Sequence, residues 1–227
     1  MRNTWKKKLV LAWKGWGYSI FISILIATTV KSAIADWNIV PSGSMKPTIV
    51  EGDRVFVNKL AYDLKIPYTT WHIAEWGNPY RGDIVVFYSP ADNRRLIKRV
   101  IGLPGDELSM RDNTLFINGD QLRYESPDNT ANRRPKEQYC IVEDLSGRKH
   151  PVLITPSYPS IRSFSAITIP DGYYFMMGDN RDNSGDSRYF GFVRRNRIVG
   201  QATFIVASLD KSLKYRPRWE RFFTKLP

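Results

Sequence analysis

The chain has 227 residues, a formal net charge of +12 from 34 basic against 22 acidic side chains, and 42% hydrophobic residues. This is enough apolar material for one packed domain, or for a core with a smaller insert. The single cysteine, Cys140, excludes an intrachain disulfide and a cysteine-built metal site, and leaves the redox compartment open. The positive charge raises nucleic acid as a partner. However, the bases are scattered from Lys6-Lys7-Lys8 through Arg94-Arg95, Lys98-Arg99, Arg133-Arg134 and Arg194-Arg195 to the tail, and no zinc-ligand spacing, RNA-binding signature or helix-turn-helix pattern accompanies them. An anionic membrane surface suits this charge better, and no nucleic-acid partner is expected.

Residues 1–8 are polar and basic. An apolar run starts at Leu9, is interrupted by Lys14, and is uncharged from Gly15 to Val30. A spanning helix needs about 20 residues. With Trp13 and the flank to Ile34 included, and Lys14 and Lys31 reaching toward the headgroups, the run is read as one N-terminal transmembrane helix, cytoplasmic at its basic end. A cleavable secretory signal peptide ending at Ala33-Ile34-Ala35 is the competing reading. Both export the chain from residue 36 onward. If the anchor is retained, Ser44 sits on a tether of about 30 Å at most and must work close to the membrane.

Pro41-Ser42-Gly43-Ser44-Met45-Lys46-Pro47-Thr48 comes next. The prolines fix their own φ and push the preceding residues toward extended backbone, while Gly43 permits a tight bend. The stretch reads as a rigid turn presenting a hydroxyl, suited to a nucleophile; a plain polar surface turn is the alternative. A nucleophilic serine needs a base. His72 lies in an aromatic run and His150 in a loop-like stretch before Pro151, and neither has motif context. Lysine can replace histidine only where desolvation lowers its pKa, so a lysine within an apolar strand is sought.

Residues 36–122 read as β, with strands expected over 54–58, 83–88, 96–101 and 114–118, and with Asn118-Gly119 turning the last into 121–124. The third of these contains two cations. Alternation puts Lys98 on the face of Leu96 and Val100, and Arg99 on that of Ile97 and Ile101. One of the two must share an inner face with apolar side chains, and local sequence favours neither. Residues 123–170, rich in Pro, Asn, Arg and Ser, read as an inserted smaller β subdomain with short strands over 139–143 and 151–155. Residues 171–208 return to the core through strands at 173–177 and 197–207. Between these lies a loop from Gly178 to Arg188 dense in Asp, Asn and Ser, which bond to local backbone. Residues 209–227 form a basic aromatic tail, read as a frayed terminus or a membrane-surface helix.

Four stretches resemble the sequence boxes of bacterial type I signal peptidase (leader peptidase), in that family's order: Pro41–Thr48, Gly52–Lys59, Arg81–Phe87 with Lys98–Asp106, and Gly178–Val193. The resemblance implies a mainly β catalytic core behind a membrane anchor. It also implies a serine endopeptidase that removes signal peptides from preproteins after small residues. Ser44 would be the nucleophile and Lys98 the base. The oxyanion would be held by the Ser44 N–H and the Ser42 hydroxyl. Ser184 would orient Lys98, and Arg99, Asp179, Asp186 and Arg188 would stiffen the surroundings by ion pairing. Val40, Met45, Leu96 and Ile97 would line the substrate pocket. This chain has Asn38 and Leu96 where many relatives carry aromatics, which leaves the pocket's shape open. No cofactor and no metal is implied. A monomer is expected, on the outer face of a bacterial inner membrane, with preproteins and lipid as partners. Two other readings stay open: a self-cleaving Ser-Lys repressor, which would need a DNA-binding N-terminal domain, and a non-enzymatic membrane-anchored binding module.

Overall fold

A computed structural model describes residues 13–33, 35–65, 72–126 and 138–227. The basic start at residues 1–12 and the Pro127–Lys136 stretch lie outside the described residues. A π-helical turn, Trp13–Gly17, leads into α1 (Tyr18–Ala33), whose Ile20, Phe21, Ile24, Leu25 and Ile26 all face solvent. The helix has 16 residues, and among the described residues no helix is long and apolar enough to cross a membrane. The expected transmembrane span is therefore not seen in them.

The remainder is mainly antiparallel β. The first strands are β1 (Ala35–Ile39), β2 (Asp53–Asn58), β3 (Asp63–Lys65), β4 (His72–Glu75), β5 (Ile84–Tyr88) and β6 (Arg95–Gly102). The middle holds β7 (Glu107–Arg111), β8 (Thr114–Ile117), β9 (Asp120–Gln121), β10 (Arg123–Glu125), β11 (Tyr139–Leu145), β12 (Arg148–Ile154) and β13 (Phe164–Thr168). The chain closes with β14 (Tyr173–Met177), a short α2 (Ser187–Phe190), β15 (Val193–Arg194), β16 (Ile198–Asp210), β17 (Arg216–Pro217) and β18 (Thr224–Lys225).

The main sheet runs β1-β2-β16-β5-β6-β14-β15, with β17 and β18 paired to β16. β7 to β9 pair with β13 in a four-stranded sheet, and β10 to β12 form a three-stranded one. The chain thus leaves the main sheet at Glu107, ahead of the boundary expected at residue 123. Alternation in 107–111 and 114–117 marks strands but does not say which sheet takes them. Asn118 and Gly119, at φ 54° and 86°, turn β8 into β9 as a type I′ pair would. The expected strand over 121–124 splits, because β9 stays with β8 while β10 joins β11.

Ile101 of β6 and Phe175 and Met177 of β14 pack with Leu108, Met110, Leu115 and Leu145 in one buried cluster, so the main sheet and the inserted strands share a core. Each fully buried side chain of this kind contributes about 1.5–3 kcal/mol. Two further clusters cover the main sheet: one holds Val40, Met45, Ile49, Val55 and Ile84, the other Val85, Phe87, Val100, Tyr174 and Met176. With both faces covered, both cations of β6 are buried, Lys98 at 3% and Arg99 at 1% exposure, where the sequence demanded only one.

The tail is neither frayed nor a surface helix. Arg221 pairs with Asp53 at 2.6 Å, Leu226 is buried against Val40 and Met45, and the Pro227 carbonyl accepts from Arg99 at 3.2 Å. These are contacts across most of the chain's length, which no local pattern announces.

Candidate active site

The turn at residues 41–48 is held from below by Met45 and Ile49, both fully buried. Its own backbone bonds, Lys46 N to Gly43 O at 3.1 Å and Ile49 N to Met45 O at 2.9 Å, close it. From above, Asn180 donates its backbone N–H to Ser44 O at 3.1 Å and its Nδ2 to Gly43 O at 3.0 Å. Gly178 allows this approach: a Cβ there would stand 2.4 Å from Ser44 O and 2.3 Å from Ser184 Oγ.

The result is a direct contact. Lys98 Nζ lies 2.6 Å from Ser44 Oγ, with both residues buried. Burial pushes the Lys98 ammonium down from 10.5 to about 8; the carboxylates of Asp186 and Asp179 pull it back up, and Arg188 opposes them. An amine that loses its proton near pH 8 and touches a hydroxyl can serve as a base. The Ser42 and Ser44 hydroxyl oxygens are 3.5 Å apart, so Ser42 borders the same space.

The ionic residues form two forks. Arg99 donates from Nε and Nη2 to Asp179 at 2.9 and 2.8 Å, and Asp179 also accepts from Thr48 Oγ1. Burial alone would raise the Asp179 carboxyl, but Arg99 overrides this and holds it below its ordinary value. Asp186 pairs with Arg188 inside the loop, caps α2 through Arg188 N and accepts from Gly178 N at 3.1 Å.

Ser184 is placed otherwise than expected. Its hydroxyl is buried and has no hydrogen-bond partner among the described residues, so the expected bond to Lys98 is not formed. The oxygen points over the Gly178 backbone instead. Among the pocket residues, Val40, Met45 and Ile97 come together, but Met45 is fully buried beneath the turn and offers no wall. Leu96 faces the opposite side and packs with Tyr62, Phe87 and Val100, as one step along a strand requires. Sequence reasoning missed Asn180 and Thr48 as partners of this turn, although both lie inside the stretches singled out. It also read His150 as a loop residue; it is buried on β12, its Nε2 3.3 Å from Glu143 and 3.9 Å from Asp179.

One edge beside the site is open. β5 pairs with β6 from Arg95 to Arg99, whereas β14 pairs only from Arg99 onward. Leu96, Ile97 and Lys98 therefore have no strand partner on the second side among the described residues.

The family model for signal peptidase, peptidase S26, matches residues 13–207. The chain belongs to this family. It is a serine endopeptidase. Signal peptidase I of Pseudomonas fluorescens is 36% identical, with 91% of this chain and 77% of that protein covered. Signal peptidase I T of Bacillus subtilis is 33% identical, with 88% of each covered. A crystal structure of a signal peptidase I from Enterococcus faecalis aligns with a TM-score of 0.37 at 37% identity, over 56% of this chain and 98% of that one.

Proposed function

We propose that this S26 peptidase removes N-terminal signal peptides from exported preproteins, with Ser44 as nucleophile and Lys98 as general base. The observation that carries the reading is the 2.6 Å contact between a buried amine of lowered pKa and a hydroxyl on a braced turn. Ser44 Oγ attacks the scissile carbonyl while its proton passes to Lys98 Nζ. The tetrahedral intermediate collapses, the mature N-terminus leaves with that proton, and an ester to Ser44 remains. Lys98 then takes a proton from water, whose oxygen attacks the ester, and returns it to Ser44 Oγ as the C–O bond breaks and the signal peptide leaves with a new carboxyl terminus.

The preprotein binds extended along the open edge at Leu96–Lys98, facing residues 38–44. Ile97, partly exposed beside the buried Val40, supplies an apolar wall suited to small side chains. The exposed apolar side chains of α1 and the basic sequence before it support an anchor in a bacterial inner membrane, with the N-terminus cytoplasmic and the catalytic domain on the outer face. The test is cleavage of a reporter preprotein by the full chain in detergent. Wild type yields the mature protein and Ser44→Ala does not; equal cleavage by both overturns the reading.

The Ser42 hydroxyl, close to Ser44 Oγ, is the side-chain donor to the developing oxyanion. Loss of one such donor typically costs 10²–10³ in kcat. Ser42→Ala is accordingly expected to lower kcat about 100-fold with KM nearly unchanged, read from steady-state kinetics on the same substrate.

A further inference from the structure

The hairpin β11–β12 plays no part in the chemistry proposed above, yet its inner face carries two buried titratable residues, Glu143 and His150. What they meet is Arg181, on the loop between β14 and α2, buried to 1% exposure. A guanidinium that deep must be paired. Glu143 takes it in a fork, with Oε1 at 2.6 Å from Nη2 and Oε2 at 3.0 Å from Nη1. The Tyr124 hydroxyl of β10 donates to the same Oε2 at 2.7 Å. His150 stands between Glu143 and Asp179. The backbone adds a second tie, from Leu153 N of β12 to Asp179 O at 2.8 Å.

Three successive loop residues therefore hold three different parts of the molecule. Asp179 grips Arg99, the neighbour of Lys98, and Thr48 of the turn. Asn180 grips the carbonyls of Gly43 and Ser44. Arg181 grips the hairpin through Glu143. The loop is the bracket that registers hydroxyl against amine, and its far end is bolted to the inserted strands.

We infer that Glu143 is a positioning residue: acting through Arg181, it fixes the loop that registers Ser44 against Lys98, so that the hairpin β11–β12 governs the chemical step without touching substrate. The inference rests on the Ser44–Lys98 reading for its kinetic part only. If Glu143 loses its charge, Arg181 keeps its own in a buried place, and the other carboxylate acting on it is Asp179. Arg181 then competes with Arg99 for Asp179, and the disturbance reaches the strand of the base and the turn of the nucleophile together.

The experiment compares wild type, Glu143→Gln and Tyr124→Phe as full chains in detergent, by steady-state kinetics on the reporter preprotein and by hydrogen–deuterium exchange. A misplacement near 1 Å can cost 10²-fold, so Glu143→Gln is expected to lower kcat at least about tenfold with KM within about twofold. Tyr124→Phe removes a single donor to Glu143 and is expected to lower kcat a few-fold with cooperative unfolding retained. If Glu143→Gln does not fold, Tyr124→Phe decides. In either variant, deuterium uptake rises in peptides covering 41–49 as well as 178–188. Uptake that rises only within 139–154, or a folded Glu143→Gln with wild-type kcat, overturns the inference. A wild type that fails to cleave sinks the proposed function instead, and the exchange measurement still decides whether the hairpin is coupled to the turn.

Discussion

Lys98→Met will abolish processing and at the same time make the protein more stable at neutral pH. Methionine nearly fills the volume of lysine, so the strand and its packing stay, while the group that accepts the Ser44 proton is gone. Activity is expected to fall by at least about 10³-fold, as when a member of a nucleophile–base pair is removed. The stability gain follows from the same burial that makes the amine useful. Moving the lysine from its ordinary 10.5 to about 8 corresponds to ~3 kcal/mol held against the folded state. The sign is fixed by proton counting. Between pH 8 and 10.5 the unfolded chain binds more protons at this residue than the folded one, so wild-type stability from this source rises with pH across that window. Below about 8 the whole penalty is present; above 10.5 none remains. Lys98→Met should unfold at higher urea than wild type at pH 7, by about 1–3 kcal/mol once its lost bond to Ser44 is allowed for, and the gap should close by pH 10.5. The same titration sets activity: wild-type kcat/KM should climb with an apparent pKa about 8. A Lys98→Met protein that still cleaves, or whose stability runs parallel to wild type across this window, removes the base from the mechanism.

The turn at residues 41–48 was legible because its signals are local: two prolines and a glycine constrain the backbone over a few residues, and the structure closes them as constrained. The burial of Lys98, the proposed base, was only half legible. Alternation names two faces for Lys98 and Arg99 but assumes one of them is wet, whereas β6 lies between β5 and β14 with apolar clusters on both faces. The distinction between the two cations is therefore one of partner and not of burial: Arg99 has a carboxylate fork, and Lys98 has a hydroxyl. His150 was hidden by Pro151, which reads as a loop signal. β12 is an edge strand of its sheet, the place where a proline can enter a strand without breaking a ladder. The tail was illegible for a different reason. Its hold on the core comes from Arg221 on Asp53 and from pairing to β16, and neither leaves a trace in the composition of residues 209–227.

Asp179→Asn separates what this carboxylate does for the fold from what it does to the base, because the two effects have opposite signs. For the fold it is a loss. Arg99 and Asp179 are each about 1% exposed, and removing one charge of such a pair costs about 3–5 kcal/mol because the other is left uncompensated. The asparagine keeps the size and one acceptor, so the cost measured by urea unfolding is mainly electrostatic. It should also depend on pH. Asp179 is held below its ordinary 3.8, so its contribution is complete above that value and is lost as pH falls through the folded pKa; the difference between wild type and variant should narrow in acid. For the base the change runs the other way. Asp179 raises the pKa of Lys98, and without its charge the amine should lose its proton at lower pH, moving the acid limb of kcat/KM below about 8. The turn, meanwhile, loses the full-strength acceptor for Thr48, and kcat at the optimum should drop by at least about tenfold from misplacement. The expected variant is therefore less stable, slower, and active toward lower pH. A limb that stays put, or moves up, would show that the field of Asp179 does not reach the amine, and would leave Asp186 as the carboxylate that opposes burial in setting the Lys98 pKa.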